Sequence, residues 1–219
     1  MFDSKVLECI EVLTHSSIRI GGEKVIYIDP FQIQKEDHDA DMVLITHDHG
    51  DHFSPDDLKK VVNADTILVV PELLEERSSN LFKDNRVVVV KPNQKLCECG
   101  IDIETIPAYN NHKPFHPKKK GWVGYILTIG DTRVYIAGDT DVTLDNQKVK
   151  CDIALVPIGG TYTMTAKKAA ELINRIRPAI AIPIHYGNIV GKPEDAEVFQ
   201  KDVETDVRVV IKLCEQDRS

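Results

Sequence analysis

One short stretch of the sequence restricts the available folds more than any other. An apolar run at residues 42–45 is followed at once by THDHGDH, residues 46–52. Its side chains that can bind metal are His47, His49, Asp51 and His52. Neutral imidazole nitrogens and carboxylate oxygens are ligands for zinc, iron and manganese. The fold therefore has to end a buried strand at an open edge, where a loop presents these groups together.

The spacing inside this motif predicts two metal positions. His47 and His49 are two residues apart, and alternate residues of an extended backbone point the same way, so they can bind one ion together. Gly50 gives the chain freedom to turn, and Asp51 and His52 can then face a second ion. A polar surface loop is the alternative, but three histidines at this spacing after a buried strand are hard to obtain by chance.

The chain repeats one structural plan twice. Each half begins with strand-like runs and a hairpin, at residues 21–22 and at residues 130–131, and continues with alternating helices and strands. The first half predicts strands at 6–12, 17–20, 25–28, 42–46, 66–70 and 86–90 and helices from residue 54 and at 71–77. The second half predicts strands within 96–106, broken at Gly100, and at 123–129, 133–137, 152–156, 179–184 and 207–213, with helices at 165–176 and 193–203. We therefore predict an α/β fold of two mixed β-sheets packed face to face, with helices outside, in one domain over residues 1–219.

Other candidate ligands also follow predicted strands. Asp139, in AGDTD, and His185, in PIHYG, each come just after a strand of the second half. His112 and His116 lie in PAYNNHKPFHPK, a loop that also follows a strand. Because each lies just past the end of a strand, all of them can converge on one edge of the sheets.

THDHGDH, AGDTD and PIHYG together resemble the metallo-β-lactamase superfamily over most of the chain. The resemblance implies a four-layered αβ/βα sandwich that forms a single metallo-β-lactamase-like hydrolase domain. It also implies a binuclear metal site at one edge of the sheets. The residues that match the superfamily's ligands are His47 and His49 for the first ion, Asp51, His52 and His185 for the second ion, and Asp139 as the bridging carboxylate.

The third histidine of the first ion is less sharply defined by the resemblance. In much of the superfamily it lies in a segment like TPGHT, which this sequence lacks. PAYNNHKPFHPKKKGWVGYIL stands there instead and resembles the branch with ascorbate-phosphate lactonase and the N-acyl-phosphatidylethanolamine phospholipase D type enzymes. Similarity of PFHP to that branch's loop favours His116 over His112, which is the alternative ligand or a substrate contact. The missing pattern counts against glyoxalase II and persulfide dioxygenase.

Two further features border the predicted site. His15, in LTHSSIRI, is similar to a segment near the site in that branch, which implies a substrate contact or an extra ligand. The alternative is a strand-end histidine that bonds to the backbone. Lys118 belongs to a basic run with Lys113, Lys119 and Lys120. In a chain of net charge -8 this run either attracts an anionic substrate or is a solvated, mobile loop.

These residues predict a metal-dependent hydrolase that acts on ester bonds. Two divalent metal ions per chain, zinc or manganese in preference to iron or nickel, would share a hydroxide that acts as the nucleophile. Asp139 would hold the two ions together, and Asp51 would bind one ion and orient the hydroxide. The predicted substrate is a small anionic molecule with a phosphodiester or lactone bond.

Two other functions are compatible with the same residues. A non-haem iron oxidoreductase could use this scaffold, although the sequence has no obvious second redox centre. A non-catalytic metal-binding module is the other alternative, but such a module has no need of so complete a set of metal ligands. β-Lactam hydrolysis is not expected, because no export signal is visible and the targets of these drugs lie outside the cytoplasm.

Composition limits the partners and the compartment. A net charge of -8 disfavours binding to nucleic acid or to an anionic membrane. No run approaches 18 apolar residues, so no membrane span is expected. The five cysteines are irregularly spaced and do not indicate a disulfide framework. We therefore expect a cytoplasmic protein that acts on a small-molecule substrate and can form a homo-oligomer.

Overall fold

Two mixed β-sheets form the centre of the protein, as predicted. The computed structural model describes residues 4–213. The first sheet contains, in spatial order, β1 (Ile10–Thr14), β2 (Ser17–Ile20), β3 (Ile26–Ile28), β4 (Ala40–Leu44), β5 (Val62–Pro71) and β6 (Arg86–Val90). The second contains, in spatial order, β13 (Arg208–Val209), β12 (Ile180–Ile184), β11 (Ile153–Pro157), β10 (Thr132–Ile136), β9 (Val123–Ile129), β8 (Ile101–Pro107) and β7 (Lys95–Glu98).

Each sheet has an antiparallel part and a parallel part. Strands β1 to β3 pair antiparallel and β3 to β6 pair parallel. In the second sheet β7 to β10 pair antiparallel, and β10 to β13 pair parallel. The carboxyl ends of the parallel strands therefore lie at one edge of each sheet, where the loops that follow them can meet.

Over the described residues 4–213, five α-helices accompany the sheets. They are α1 (Ser4–Cys9), α2 (Pro55–Val61), α3 (Glu75–Leu81), α4 (Ala166–Ile176) and α5 (Asp195–Asp202), and single 3₁₀ turns lie at Glu72–Leu74, Lys118–Lys120 and Asn146–Lys148. The longest of them, α4, has 11 residues, and none of the helices within residues 4–213 could cross a membrane.

Successive side chains of β4 point to opposite faces of the first sheet, and this shows how sheets and helices are layered. Met42 and Leu44 point into a core that side chains of both sheets share. Val43 points the other way, into a second cluster with Leu58 and Val61 of α2. On the far side, α4 packs on β11 and contributes its apolar face to the shared core. The order helix, sheet, sheet, helix confirms the predicted four-layered sandwich.

Several local signals in the sequence are confirmed. The Ser54 hydroxyl accepts a hydrogen bond from the amide of Asp57 and so caps α2. Thr165 caps α4 in the same way, through the amide of Lys168. Gly130, with φ of 57°, forms the tight hairpin between β9 and β10.

The strand predicted at residues 6–12 is wrong over its first part. Helix α1 ends at Cys9, and β1 begins only at Ile10. Val6 and Leu7 are buried together with Ile10. A spacing of three and four residues fits one face of a helix as well as a buried strand, so periodicity alone could not separate the two.

The strand predicted at residues 207–213 is shorter than expected. Only β13 pairs as a strand, next to β12, and Leu213 pairs with Val12 through an isolated bridge. The last cysteine, Cys214, lies outside the described residues. The apolar pattern of this segment therefore predicted a strand in the right place but not its length.

Candidate metal centre

The predicted ligands come together where four chain segments leave the sheets. His47 lies in the loop after β4, Asp139 follows β10, and His185 directly follows β12. His116 lies in the long loop between β8 and β9. Parallel strands that end at the same edge explain why residues so far apart in sequence meet in space.

His47, His49 and His116 form the first cluster, in which one ligand atom of each lies within 4.8 Å of the others. The Nε2 atom of His47 and the Nδ1 atom of His49 are 3.1 Å apart. Trp122 is buried and packs beside all three rings. His112 is exposed and does not belong to the cluster, so the structure places His116 rather than His112 at this position.

Asp51, His52, His185 and His15 form the second cluster. The Oδ2 atom of Asp51 is 3.5 Å from Nε2 of His52 and 3.8 Å from Nε2 of His185. His15 is fully buried, and its Nε2 lies 3.2 Å from the same carboxylate oxygen. Its ring also lies against that of His185, with the centroids 3.8 Å apart. His15 is therefore part of this cluster, and within residues 4–213 its ring makes no hydrogen bond to the backbone, since Nε2 faces Asp51 and Nδ1 has no partner.

Asp139 lies between the two clusters. Its Oδ2 is 3.2 Å from Nε2 of His116 in the first cluster and 3.1 Å from Nε2 of His185 in the second. Its Oδ1 is 3.4 Å from Nε2 of His52. The side chain is only 3% exposed. A single carboxylate thus contacts both clusters, which is the placement that a bridging ligand requires.

Burial and neighbouring charges set the protonation states of these groups. Burial raises the pKa of Asp139, but His185 and His52 outweigh it and hold that pKa well below its usual value. Burial lowers the pKa of His47 well below its usual value, and it lowers the pKa of His15 to about 4. A charged carboxylate and neutral imidazoles are the forms that bind metal ions.

His52 differs from the other histidines. Burial lowers its pKa, but the carboxylates of Asp139 and Asp29 outweigh that effect and raise the pKa well above its usual value. Without an ion, His52 therefore carries a proton at neutral pH. Binding of a metal to its Nε2 atom would displace that proton, so ion binding at this cluster is coupled to proton release.

The buried polar atoms of the site fit metal ions. Among those that make no hydrogen bond within residues 4–213, four lie where the two clusters meet: Nε2 of His52, Nε2 of His116, Nε2 of His185 and Oδ1 of Asp139. An unsatisfied buried polar atom costs about 1–3 kcal/mol, and native proteins leave few of them. All four face the same small space between the clusters. Divalent cations are the group that would satisfy a set of nitrogen and carboxylate ligands arranged in this way.

Sequence reasoning missed Asp29, which orients the second cluster. This fully buried carboxylate lies 2.7 Å from Nδ1 of His52 and accepts hydrogen bonds from the amide and hydroxyl of Thr46, at 2.8 and 2.6 Å. It fixes the ring of His52 with Nε2 directed toward Asp139. Histidines that bind metal through one ring nitrogen are commonly oriented by such a carboxylate at the other nitrogen. The only signal in the sequence was an acidic residue between an apolar strand and Pro30.

Asp29→Asn is expected to weaken metal binding or kcat/KM by about 10–100-fold, the usual cost of removing such a partner. The substitution keeps the size of the side chain but removes the charge that holds His52. Ion affinity can be measured by competition with a chromophoric chelator. Asp41→Asn is the matched control, because Asp41 pairs with Lys24 at the opposite end of β4. Equal ion affinity in both variants would show that Asp29 has no part in the site.

The backbone at the site is held in an uncommon conformation. Nine non-glycine residues within 4–213 have positive φ, and four of them belong to the site: His15 (47°), Asp29 (47°), His116 (56°) and His185 (57°). Such strain persists only where the surroundings impose it, and it concentrates at functional sites. At His185 the amide donates to the carbonyl of His15, and Gly159 packs so closely that a Cβ there would lie 2.3 Å from the His185 carbonyl oxygen.

Comparison with known proteins identifies relatives over nearly the whole chain. The model of the beta-lactamase superfamily domain matches residues 9–185. A UPF0173 metal-dependent hydrolase from Archaeoglobus fulgidus is 31% identical over 222 residues, which cover 91% of this chain and 93% of the relative. The crystal structure of a candidate metal-dependent hydrolase from Parabacteroides distasonis is 30% identical, covers 94% and 93% of the two chains, and has a TM-score of 0.78. The diiron β-hydroxylase CmlA from Streptomyces venezuelae shares the fold at 14% identity, with a TM-score of 0.74 over 93% of this chain and 52% of that one.

Proposed function

The chain belongs to the beta-lactamase superfamily, and from that premise we propose that it is a metal-dependent hydrolase that cleaves an ester-type bond in a small molecule. One observation supports this most strongly: a buried carboxylate, Asp139, lies between two clusters of metal-binding side chains. The single domain predicted over residues 1–219 is part of the same proposal.

The proposed ligands follow from the two clusters. His47, His49 and His116 would hold one ion, Asp51, His52 and His185 would hold the other, and Asp139 would contact both. Nitrogen and carboxylate ligands suit zinc and manganese, and also iron or nickel, so the donor set supports two divalent ions without selecting the element.

When bound, two such ions lower the pKa of a shared water and polarise the carbonyl or phosphoryl oxygen of an ester. Asp139 supplies the negative charge that lets two cations lie close together. Asp51 holds its carboxylate at the mouth of the site and can orient the attacking water. We propose that His15 is a positioning residue, whose neutral ring donates a hydrogen bond from Nε2 to Oδ2 of Asp51.

The hypothesis of an anionic substrate rests on the positive charge of the lysine run, and ion pairs of these lysines with neighbouring acids weaken that argument. Nζ of Lys118 lies 2.9 Å from the carboxylate of Asp145, and Nζ of Lys113 lies 3.0 Å from the carboxylate of Asp141. Two members of the basic run are therefore already neutralised by neighbouring acids. The bond type, carboxylic ester, lactone or phosphodiester, is likewise part of the proposal.

The fold alone does not separate hydrolysis from oxidation, because a diiron β-hydroxylase shares it. The identity of the resident metal separates them. We expect elemental analysis of protein purified without chelator to find close to two zinc or manganese ions per chain. Hydrolysis of p-nitrophenyl acetate or bis(p-nitrophenyl) phosphate should then follow metal content. Iron alone, with oxygen consumption, would favour the oxidoreductase. No metal, and none taken up on incubation, would favour the non-catalytic module.

A further inference from the structure

A cavity of about 390 Å³ opens directly above the two clusters. Its floor includes His49, Asp51, His116 and Asp139, so a molecule bound in it would touch the proposed ligands. The size is that of a small-molecule site. The side chains that form its walls therefore determine which kind of substrate group can lie next to the bond that is cleaved.

The walls of this cavity are apolar. Phe115 and Tyr162 form one part of the wall, with their rings edge to face and the centroids 4.8 Å apart. Phe31 and Ile189 complete it. These four side chains come from four separate loops. The residues that could bind metal lie on the floor of the cavity and not in its walls.

Two of these wall residues are unusually exposed. Phe115 is 42% exposed and Ile189 is 48% exposed. Only three other large hydrophobic residues within 4–213 are comparably exposed, and none of those lines the cavity. Apolar side chains exposed beside a polar, convergent site indicate a surface that a ligand covers.

The basic run does not supply the cavity with positive charge. Within residues 4–213 no lysine or arginine lines it. Nζ of Lys113 is bound to the carboxylate of Asp141 and to the carbonyls of Gly160 and Thr163. Nζ of Lys120 lies 5.5 Å from the ring centroid of Trp122, which is outside the cavity wall. An anionic substituent in this cavity would therefore find no side-chain cation.

We propose, building on the proposed hydrolase function, that the group beside the scissile bond is uncharged and apolar. The substrate is then an ester with an alkyl or aryl group that packs on Phe115, Tyr162, Phe31 and Ile189. Specificity comes from burial of this group, and the ions that His49, Asp51, His116 and Asp139 on the floor would hold supply the Lewis acid for the adjacent ester. This differs from the anionic substrate that the lysine run suggests.

A series of p-nitrophenyl esters tests this with one leaving group and a varied acyl chain. On the metal-loaded protein, kcat/KM should rise about tenfold from the acetate to the hexanoate, because each buried methylene favours binding. The pentanoate should exceed the hemiglutarate, of similar length but ending in a carboxylate, by at least about tenfold, because that charge would be buried without a partner. Equal values for pentanoate and hemiglutarate, or a preference for hemiglutarate, would overturn the proposal.

Phe115→Ala should remove most of this preference. We expect the ratio of kcat/KM for the hexanoate to that for the acetate to fall about tenfold, because the acetate is too short to use the wall. Leu144→Ala is the matched control, because Leu144 is 75% exposed and lies outside the cavity. Equal effects of the two substitutions on the hexanoate would overturn the proposal.

Binding of the uncharged fluorophore N-phenyl-1-naphthylamine gives a readout that does not depend on hydrolysis. Its fluorescence rises in apolar surroundings, and its Kd should increase at least about fivefold in Phe115→Ala but not in Leu144→Ala. If the metal-loaded protein cleaves neither these esters nor bis(p-nitrophenyl) phosphate, the proposed function is wrong, and the fluorophore measurement alone decides whether the cavity binds an uncharged apolar group. Equal Kd values in both variants would then overturn the inference.

Discussion

Replacement of Asp139 by alanine is expected to lower kcat/KM by at least about 1000-fold, because metal ions contribute several kcal/mol of transition-state stabilisation. It should also weaken the binding of at least one ion. The carboxylate lies within 3.4 Å of nitrogens from His116, His185 and His52. Without it, two cations would have to lie close together with no negative charge between them, and the buried histidines would lose their common partner.

Controls separate this effect from a loss of folding. Asp131→Ala removes an exposed acid from the hairpin at the opposite end of β10, and it should leave both turnover and ion content unchanged. Far-UV circular dichroism establishes that each variant is folded, and elemental analysis after gel filtration gives ions per chain. Unchanged turnover in Asp139→Ala, with folded protein, would mean that Asp139 has no part in the site.

The sequence contained enough to predict the centre of the site, for a physical reason. Histidine and aspartate directly after buried strands are informative because parallel strands end at a common edge. THDHGDH, Asp139 and His185 satisfied that condition, and the structure brings them together. His116 and His112 satisfied it equally, since both follow β8. The similarity of PFHP to a loop of the superfamily favoured His116, and in the structure His116 is the buried one of the two, with φ of 56° and a carbonyl that accepts the amide of Asn110.

Other features of the site depend on tertiary structure and left little trace in the sequence. Asp29 resembles any acid before a proline until its contact with His52 is known. The cavity walls come from four loops, and no local pattern groups Phe31 with Phe115 or Ile189. The lysine run is the converse case. Its charge is obvious in the sequence, but the acids that neutralise it are distant in the chain.

Removal of metal should both abolish hydrolysis and destabilise the protein. An ion present at about 1000 times its Kd stabilises the folded state by about 4 kcal/mol. In a chain of this size each kcal/mol shifts Tm by about 2–4 °C, so we expect chelation to lower Tm by about 10 °C or more. The physical cause is the set of buried atoms that lack partners within the described residues, Nε2 of His52, His116 and His185 among them.

Calorimetry at fixed protein concentration, before and after dialysis against EDTA and after return of zinc or manganese, measures this difference. Asp139→Ala treated in the same way is the control, because a chelator acting elsewhere would shift its Tm by the same amount. A Tm that EDTA leaves unchanged, in protein shown by elemental analysis to have lost its ions, would mean that these ions contribute nothing to folding. Recovery of Tm and of hydrolysis at the same metal stoichiometry would link both to one site. That stoichiometry would also decide whether one ion is enough or whether both clusters around Asp139 have to be filled.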